Sequence, residues 1–167
     1  VANVNDTSTG AVTIDDTTPT QGQTLTASNT LADADGLGAI TYTWQADGST
    51  VGTGSTYVVT EAEVGKVITV IASYTDGHGT PESVSSTSTA AVANVDDAPT
   101  GSVTIDDTTP TQGQTLTASN TLADADGLGA ITYTWQADGS TVGTGTTYVV
   151  TEAQVGKVIT VIAGYTD

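Results

Sequence analysis

Closely spaced aspartates are the residues in this chain whose types and spacing could support chemistry. Asp33 and Asp35 stand one residue apart in "NTLADADGLGAITYTW", and the same stretch recurs later with Asp124 and Asp126. Two negative charges at this spacing repel each other unless a cation lies between them. Carboxylate and carbonyl oxygens are the ligands that Ca²⁺ takes, at flexible angles and about six to eight at a time. The pairs therefore predict oxygen-ligated calcium.

A simpler interpretation of each pair is also open. Asp-Gly steps such as Asp35–Gly36 are common turn formers, and a polar loop needs no ion to explain it. "TIDDTTP" could likewise be a solvated strand end. The calcium prediction depends on several acidic loops meeting at one place.

Catalysis is not expected from this sequence. The chain has no cysteine, and its one histidine, His78, lies in a "DGHG" loop typical of a surface turn. Hydrolysis would then need a carboxylic acid and a carboxylate base in a cleft, which thin loops seldom form. We predict that the protein is not an enzyme.

The charge of the chain limits its partners. Nineteen acidic residues stand against Lys66 and Lys157, for a formal net charge of −17. Nucleic acids and anionic membranes carry the same sign, so neither is an expected partner. No apolar run is long enough to span a bilayer, and membrane insertion is not expected. Without cysteine, stability must come from the core and from ions bound by oxygen.

The chain repeats itself with an offset of 91 residues. Residues 10–76 and 101–167 differ at four positions, namely Ala11/Ser102, Ser55/Thr146, Glu63/Gln154 and Ser73/Gly164. Repeats this similar predict a longer tandem array whose neighbours are further copies in the same chain. We expect the sequence to begin and end inside a repeat.

Within each repeat the hydrophobic period is two, as in strands. In "KVITVIASYTD", Ile68, Val70, Ala72 and Tyr74 fall on one face, and threonine and serine fall on the other. Turn signals such as "TPTQGQ" and "ADGS" separate about seven such runs in roughly 90 residues. The pattern predicts an all-β fold of tandem antiparallel immunoglobulin-like β-sandwiches arranged end to end. Residues 1–9 would close a preceding repeat, 10–95 form repeat 1, 96–100 a linker and 101–167 repeat 2.

The last strand of repeat 1 is predicted over "ESVSSTSTAAVANV" at 82–95, and repeat 2 has no counterpart. A sandwich without this strand exposes an unpaired edge. The missing strand could be truncated, disordered or supplied by another copy through strand exchange. In the last case residues 1–4 ("VANV"), or a neighbour's segment, would pair into the open groove.

Immunoglobulin-like topology predicts where the acids gather. Loops with Asp33, Asp35 and Asp76 belong to the pole beside the incoming linker, and loops with Asp15, Asp16 and Glu61 belong to the opposite pole. End-to-end stacking would therefore bring together acids from both repeats and the linker: Asp15, Asp16, Glu61, Asp96, Asp97, Asp124, Asp126 and Asp167. Ca²⁺ suits this oxygen cage better than Mg²⁺, which needs a strict octahedron, or Zn²⁺, which prefers nitrogen and sulfur.

The linkers "VANVNDTSTG" and "VANVDDAPTG", the "DADGLG" loop and the "YTWQADG…VGK…YTDG" frame resemble a known family. They are similar to the extender repeats, immunoglobulin-like or cadherin-like, of giant RTX-type, type I-secreted bacterial surface adhesins. The resemblance implies an extracellular stalk on the bacterial cell surface, stiffened by calcium and active in adhesion and biofilm formation. By the cadherin analogy "VNDTS" and "VDDAP" take the place of the acidic linker motif, which adds Asp6 to the ligands, and "DADG" takes the place of the Asp-x-Asp motif. The turn "TEAEVGK" lacks the arginine-containing cadherin motif, and no glycine-rich calcium nonapeptide is present.

Two other functions remain open at the level of sequence. One is a self-assembling extracellular filament or sheath joined by donated strands. The other is an immunoglobulin-like module that binds a ligand or carbohydrate, which would need exposed aromatic rings. The period of two points Tyr42, Trp44 and Tyr74 inward, so the sequence favours a spacer.

Overall fold

The chain folds into two separate all-β units in a computed structural model that describes residues 2–167. One unit ends at Val95 and the other spans Asp96–Asp167. Both are built from antiparallel strands, and the helical pieces of the described residues are the short 3₁₀ turns Glu61–Glu63 and Glu152–Gln154. The prediction of tandem β-sandwiches is confirmed.

Unit 1, the unit that ends at Val95, has seven strands in two sheets. The strands are β1 (Val12–Ile14), β2 (Thr24–Asn29), β3 (Thr41–Ala46), β4 (Ser49–Thr53), β5 (Thr56–Val58), β6 (Ile68–Thr75) and β7 (Pro81–Ser85). One sheet has the order β1-β2-β5 and the other β4-β3-β6-β7. This is the strand order of an immunoglobulin-like sandwich.

Unit 2, the unit Asp96–Asp167, repeats the first six strands. They are β8 (Val103–Ile105), β9 (Thr115–Asn120), β10 (Thr132–Ala137), β11 (Ser140–Thr144), β12 (Thr147–Val149) and β13 (Ile159–Gly164). Its sheets have the orders β12-β9-β8 and β11-β10-β13. Within the described residues no strand lies on the outer side of β13.

Alternating side chains build the core between the sheets. Leu25, Trp44 and Ile68 are completely buried in unit 1, as the period of two predicted. The Trp44 indole stacks on Tyr57 at 5.9 Å between centroids and donates its Nε1–H to the Gly54 carbonyl at 2.8 Å. Burial of each such side chain contributes on the order of 1.5–3 kcal/mol. This core holds the loops at the two ends of the sandwich in place.

The end of unit 1 corrects one prediction. The strand expected over 82–95 pairs regularly only over Pro81–Ser85. Beyond it the Ser86 Oγ accepts the Val70 N–H at 3.0 Å, and the Thr89 Oγ1 accepts the Ile68 N–H at 3.0 Å. Because side chains replace backbone acceptors there, the ladder ends although the segment continues along β6. Residues 91–93 then form isolated bridges at the base of the sandwich.

The chain offers no helical membrane span. Among residues 2–167 no helix is long and apolar enough to cross a bilayer.

Candidate metal centres

An acidic pole in unit 1 is formed by the chain before β1 and the loops β2–β3 and β6–β7. The Gly77 N–H donates to the Asp35 carbonyl at 3.1 Å, which joins the two loops. The Asp6 N–H donates to Asp35 Oδ2 at 2.7 Å, which adds the incoming chain. Three segments that are distant in sequence thereby present their acids on one end of the sandwich.

The "DADGLG" loop owes its shape to its small residues. The Asp35 N–H donates to Asp33 Oδ1 at 2.9 Å, which closes a tight turn. Gly36 has φ +99°, a conformation that L side chains rarely adopt. A Cβ on Gly38 would stand 2.0 Å from the Thr75 carbonyl oxygen, so only glycine allows this loop to approach β6. The loop thus aims two carboxylates with little freedom.

Asp33 is also held by a core side chain. The Tyr74 hydroxyl donates to Asp33 Oδ2 at 2.6 Å. Burial and this hydrogen bond raise the pKa of Tyr74, so the phenol stays protonated and remains a donor. The tyrosine fixes the first carboxylate of the pair from inside the sandwich.

Asp76 is the most notable acid of this pole because it is only 6% exposed. Its Oδ1 accepts the Thr80 N–H at 2.8 Å and the His78 N–H at 2.9 Å, whereas Oδ2 has no hydrogen-bond partner among the described residues. The backbone hydrogen bond from Thr80, which outweighs burial, lowers the pKa of Asp76, so the group is ionised at neutral pH. A buried carboxylate oxygen without a partner is costly.

Little positive charge offsets these acids. The Asp35 side chain is 5% exposed, and the His78 Nε2 lies 3.8 Å from its Oδ1. His78 itself is 55% exposed in its side chain, as expected of a surface-loop histidine. The Lys66 N–H donates to the Glu63 carbonyl and the Lys157 N–H to the Gln154 carbonyl, so each lysine belongs to the base turn of its own unit.

The acidic pole of unit 2 repeats this arrangement. The Asp97 N–H donates to Asp126 Oδ2 at 2.7 Å, and the Asp126 N–H donates to Asp124 Oδ1 at 3.1 Å. The Tyr165 hydroxyl donates to Asp124 Oδ2. This bond, with burial and the nearby carboxylates, raises the pKa of Tyr165 to about 12. Segments before β8 and after β9 are therefore fixed as in unit 1.

Three carboxylates of this pole lie close enough to share one ion. Oxygens of Asp96, Asp126 and Asp167 all lie within 4.8 Å of one another. A hydrogen bond and charge repulsion from Asp167 raise the pKa of Asp96. Asp126 Oδ1 has no hydrogen-bond partner among the described residues. Asp96 and Asp167 also line a cavity of about 280 Å³ together with Asp97, Asp124 and Tyr165.

The donor set fits a hard cation that accepts irregular geometry. All candidate ligands at the two poles are carboxylate oxygens. Ca²⁺ takes such ligands with variable number and angle. The residues that could hold it are, in unit 1, Asp6, Asp33, Asp35 and Asp76, and, in unit 2, Asp96, Asp97, Asp124, Asp126 and Asp167.

Two predicted ligands lie elsewhere in unit 1. Asp15 follows the far end of β1, where its Oδ1 accepts the Thr26 N–H at 2.7 Å. Glu61 begins the 3₁₀ turn at the base. Within unit 1 neither residue belongs to the acidic pole: Asp15 holds the end of β1 against β2, and Glu61 is part of the 3₁₀ turn.

Sequence reasoning missed the hydroxyl groups of Tyr74 and Tyr165. The period of two predicts an inward position for Tyr74, and each tyrosine hydroxyl reaches an aspartate 41 residues earlier. It also missed Asn5, whose Nδ2 donates to Glu82 Oε1 at 2.8 Å. The only available signal was the position of each tyrosine at the pole end of its strand, two residues before Asp76 or Asp167.

The fold and these poles define a class: the chain is a tandem of immunoglobulin-like β-sandwich modules. No family model matches it, and no curated protein does.

Two solved structures are similar. Three N-terminal domains of the bacteriophage RB49 highly immunogenic outer capsid protein (Hoc) share 18% identity at a TM-score of 0.35, and the match covers 96% of this chain and 55% of that one. Fibronectin(III)-like modules of Clostridium thermocellum CbhA share 20% identity at a TM-score of 0.33, with 93% and 86% covered. The chain thus spans about half of the capsid protein chain, and neither similarity carries a functional argument.

Proposed function

We propose that this chain is a spacer from the stalk of an extracellular bacterial surface adhesin, and that calcium at its acidic poles stiffens the stalk. The observation that carries the proposal is the cluster of Asp96, Asp126 and Asp167 within 4.8 Å in unit 2. Asp96 directly follows Val95, the last residue of unit 1. An ion bound there would order the segment that connects the units.

Charge supports a bound dication. Without a cation the three carboxylates repel one another. A hydrogen bond with Asp167, together with repulsion from Asp167 and Asp126, raises the pKa of Asp96. With Ca²⁺ the same oxygens become ligands, and the segment before β8 is held against the β9–β10 loop. Extracellular calcium modules bind with Kd of about 10⁻⁴–10⁻³ M. A site of this strength would be filled outside the cell and largely unfilled in the cytosol.

The surface favours a spacer over a carbohydrate-binding module. Trp44 and Trp135 are completely buried, and no tyrosine or tryptophan of the described chain is exposed. Protein and sugar sites usually depend on exposed aromatic anchors. Repeats with four differences in 67 aligned residues also suit a role in which length is the function.

Small-angle X-ray scattering tests the stiffening role. We expect millimolar Ca²⁺ to narrow the distribution of interatomic distances of the 167-residue chain relative to EDTA, because the connecting segment becomes ordered. Asp126→Asn keeps the acceptor for the Asp97 N–H but removes the charge, and it should reduce the difference between Ca²⁺ and EDTA.

Asp138→Asn is the matched control. Asp138 lies in the β10–β11 turn with φ +48°, which asparagine tolerates. It accepts the Val158 N–H at 3.0 Å, which the asparagine oxygen can also do. This variant should respond to Ca²⁺ like the wild type. Identical scattering of the wild type in Ca²⁺ and EDTA would refute the stiffening role.

A further inference from the structure

The base of unit 2 carries an open groove. The groove has a volume of about 880 Å³. Its floor is apolar and includes Ile105, Leu116 and Val150. Its rim includes Pro110, Val155 and Lys157. Beside it runs β13, whose outer edge has no partner strand within the described residues.

Unit 1 shows what covers the equivalent surface there. β7 pairs with β6 in antiparallel register, with Ala72 opposite Val84 and Ser73 opposite Ser83. The chain then descends to the base, where Val92 enters the core at 3% exposure. One extended segment, residues 81–93, thus closes both the sheet edge and the base.

Backbone hydrogen bonds hold this segment at the base. The Val92 N–H donates to the Lys66 carbonyl at 2.9 Å, and the Val92 carbonyl accepts the Gly65 N–H at 2.9 Å. The Ala93 N–H donates to the Pro19 carbonyl at 2.9 Å. The counterparts in unit 2 are Lys157, Gly156 and Pro110, which all line the open groove.

Apolar side chains are more exposed in unit 2 than at the equivalent positions of unit 1, where residues 81–93 cover them. Val155, Val158 and Ile162 are 58%, 69% and 50% exposed. Their counterparts Val64, Val67 and Ile71 are partly buried in unit 1. Exposed apolar side chains beside unpaired strand groups make a site for an added strand.

We propose that the outer edge of β13 and the groove of unit 2 accept one extended peptide segment with the chemistry of residues 81–93. The segment pairs antiparallel with β13, places hydroxyl side chains where Ser86 and Thr89 stand in unit 1, and inserts one valine into the groove. This inference is independent of calcium binding.

A synthetic peptide of residues 80–95, added to the 167-residue chain, tests the proposal. In unit 1 the Ser86 and Thr89 side chains accept the Val70 and Ile68 amides. Peptide binding should therefore slow hydrogen exchange at the corresponding amides, Val161 and Ile159, saturably and by about tenfold or more. The same peptide with Val92→Asp should bind at least about tenfold more weakly, because it would bury a carboxylate among apolar side chains.

A lengthened chain makes the test independent of peptide affinity. Residues 77–95 appended after Asp167 reproduce the order of unit 1 and raise the local concentration of the segment. The Ile159 and Val161 amides should then be protected without added peptide, and the Val92→Asp change in the appended copy should remove the protection.

Three results would overturn the proposal. The first is fast exchange of these amides with both the peptide and the appended segment. The second is equal binding by the Val92→Asp peptide. The third is protection of these amides in the unaltered chain alone, together with dimers in sedimentation at rising concentration, which would make a second copy the occupant.

Discussion

Each aspartate of a "DADG" pair has its own task. Asp33 is fixed by Tyr74 from the core and by the Asp35 N–H, whereas Asp35 binds the Asp6 N–H and faces the pole. The first carboxylate therefore shapes the loop, and the second is the better candidate for a ligand. The turn interpretation and the metal interpretation of the motif are compatible, since the hydrogen bond that closes the turn uses Asp33 Oδ1 and the Asp35 N–H and does not involve the Asp35 carboxylate.

Other aspartates stabilise loops without any ion. Asp16 accepts the Gln23 Nε2–H at 2.6 Å and the Thr18 N–H at 2.8 Å. Hydrogen bonds from Gln23 and Thr18 lower the pKa of Asp16. A backbone bond from Thr109 and a side-chain bond from Gln114 do the same for Asp107.

Because folding lowers the pKa of Asp16 and Asp107, we expect these two carboxylates to make a contribution to stability that is lost in acid. A carboxylate whose pKa is lowered by folding stabilises the protein fully above its unfolded pKa, near 3.8, and the contribution is lost as the pH falls through the lowered folded value. The double variant Asp16→Asn, Asp107→Asn should be less stable at pH 7 and should lose less stability than the wild type below about pH 4. Urea unfolding at a series of pH values measures this, and parallel curves for the two proteins would contradict it.

The sequence predicted some side-chain positions and not others, for a physical reason. Alternation along one strand places Ile68, Val70 and Ala72 in the core because neighbouring side chains point to opposite faces. The bond from Tyr74 to Asp33 joins residues 41 positions apart, and no local pattern encodes it. Contacts of this kind depend on how the loops fold over the sheet ends.

At the scale of elements, the 3₁₀ turns carry a compact capping arrangement. Glu63 Oε2 accepts the Thr60 N–H at 2.9 Å and the Thr60 Oγ1–H at 2.7 Å, although Glu63 is only 5% exposed. Burial alone would raise the pKa of Glu63, but hydrogen bonds from Thr60 and Tyr57, together with the charge of Lys66, lower that pKa. In unit 2 the Gln154 Oε1 accepts the Thr151 N–H at 3.0 Å. A neutral amide oxygen serves the same purpose there.

Glutamine stands at position 154, where unit 1 has Glu63, and this difference predicts how Glu63 variants behave. Glu63→Gln should change the free energy of unfolding little at pH 7, since the acceptor remains. Glu63→Ala should cost about 1–2 kcal/mol, because both Thr60 donors lose their partner. Urea denaturation of the two variants makes the comparison. Equal losses would mean that the charge, not the hydrogen-bond acceptor, matters.

The sequence pattern did not predict where the last strand of unit 1 ends. Residues 82–95 have the hydroxyl-rich, β-branched composition of a strand, yet the regular ladder ends at Ser85. Ser86 and Thr89 still donate their backbone N–H groups to the Val70 and Ile68 carbonyls of β6, but their side-chain oxygens accept the Val70 and Ile68 amides. Composition indicated an extended segment, but only the structure showed where side-chain oxygens take over from backbone carbonyls as the acceptors for the β6 amides.

At the scale of the whole molecule, the excess of negative charge dominates. A net charge of −17 on 167 residues keeps similar units soluble and disfavours association between copies. The same charge disfavours the compact state unless cations offset it. The proposed sites lie where carboxylates are closest, so calcium would act at the points of greatest repulsion.

Calorimetric titration of the 167-residue chain with CaCl₂ tests the central claim most directly. We predict saturable binding with Kd of about 10⁻⁴–10⁻³ M. Asp126→Asn should weaken binding at the unit 2 pole by about tenfold or more, because a charged ligand is lost. The matched Asp138→Asn protein should bind within about twofold of the wild type, since its substitution removes the same charge from a distant turn. Absence of saturable heat at millimolar Ca²⁺, or an equal loss in the two variants, would contradict the account.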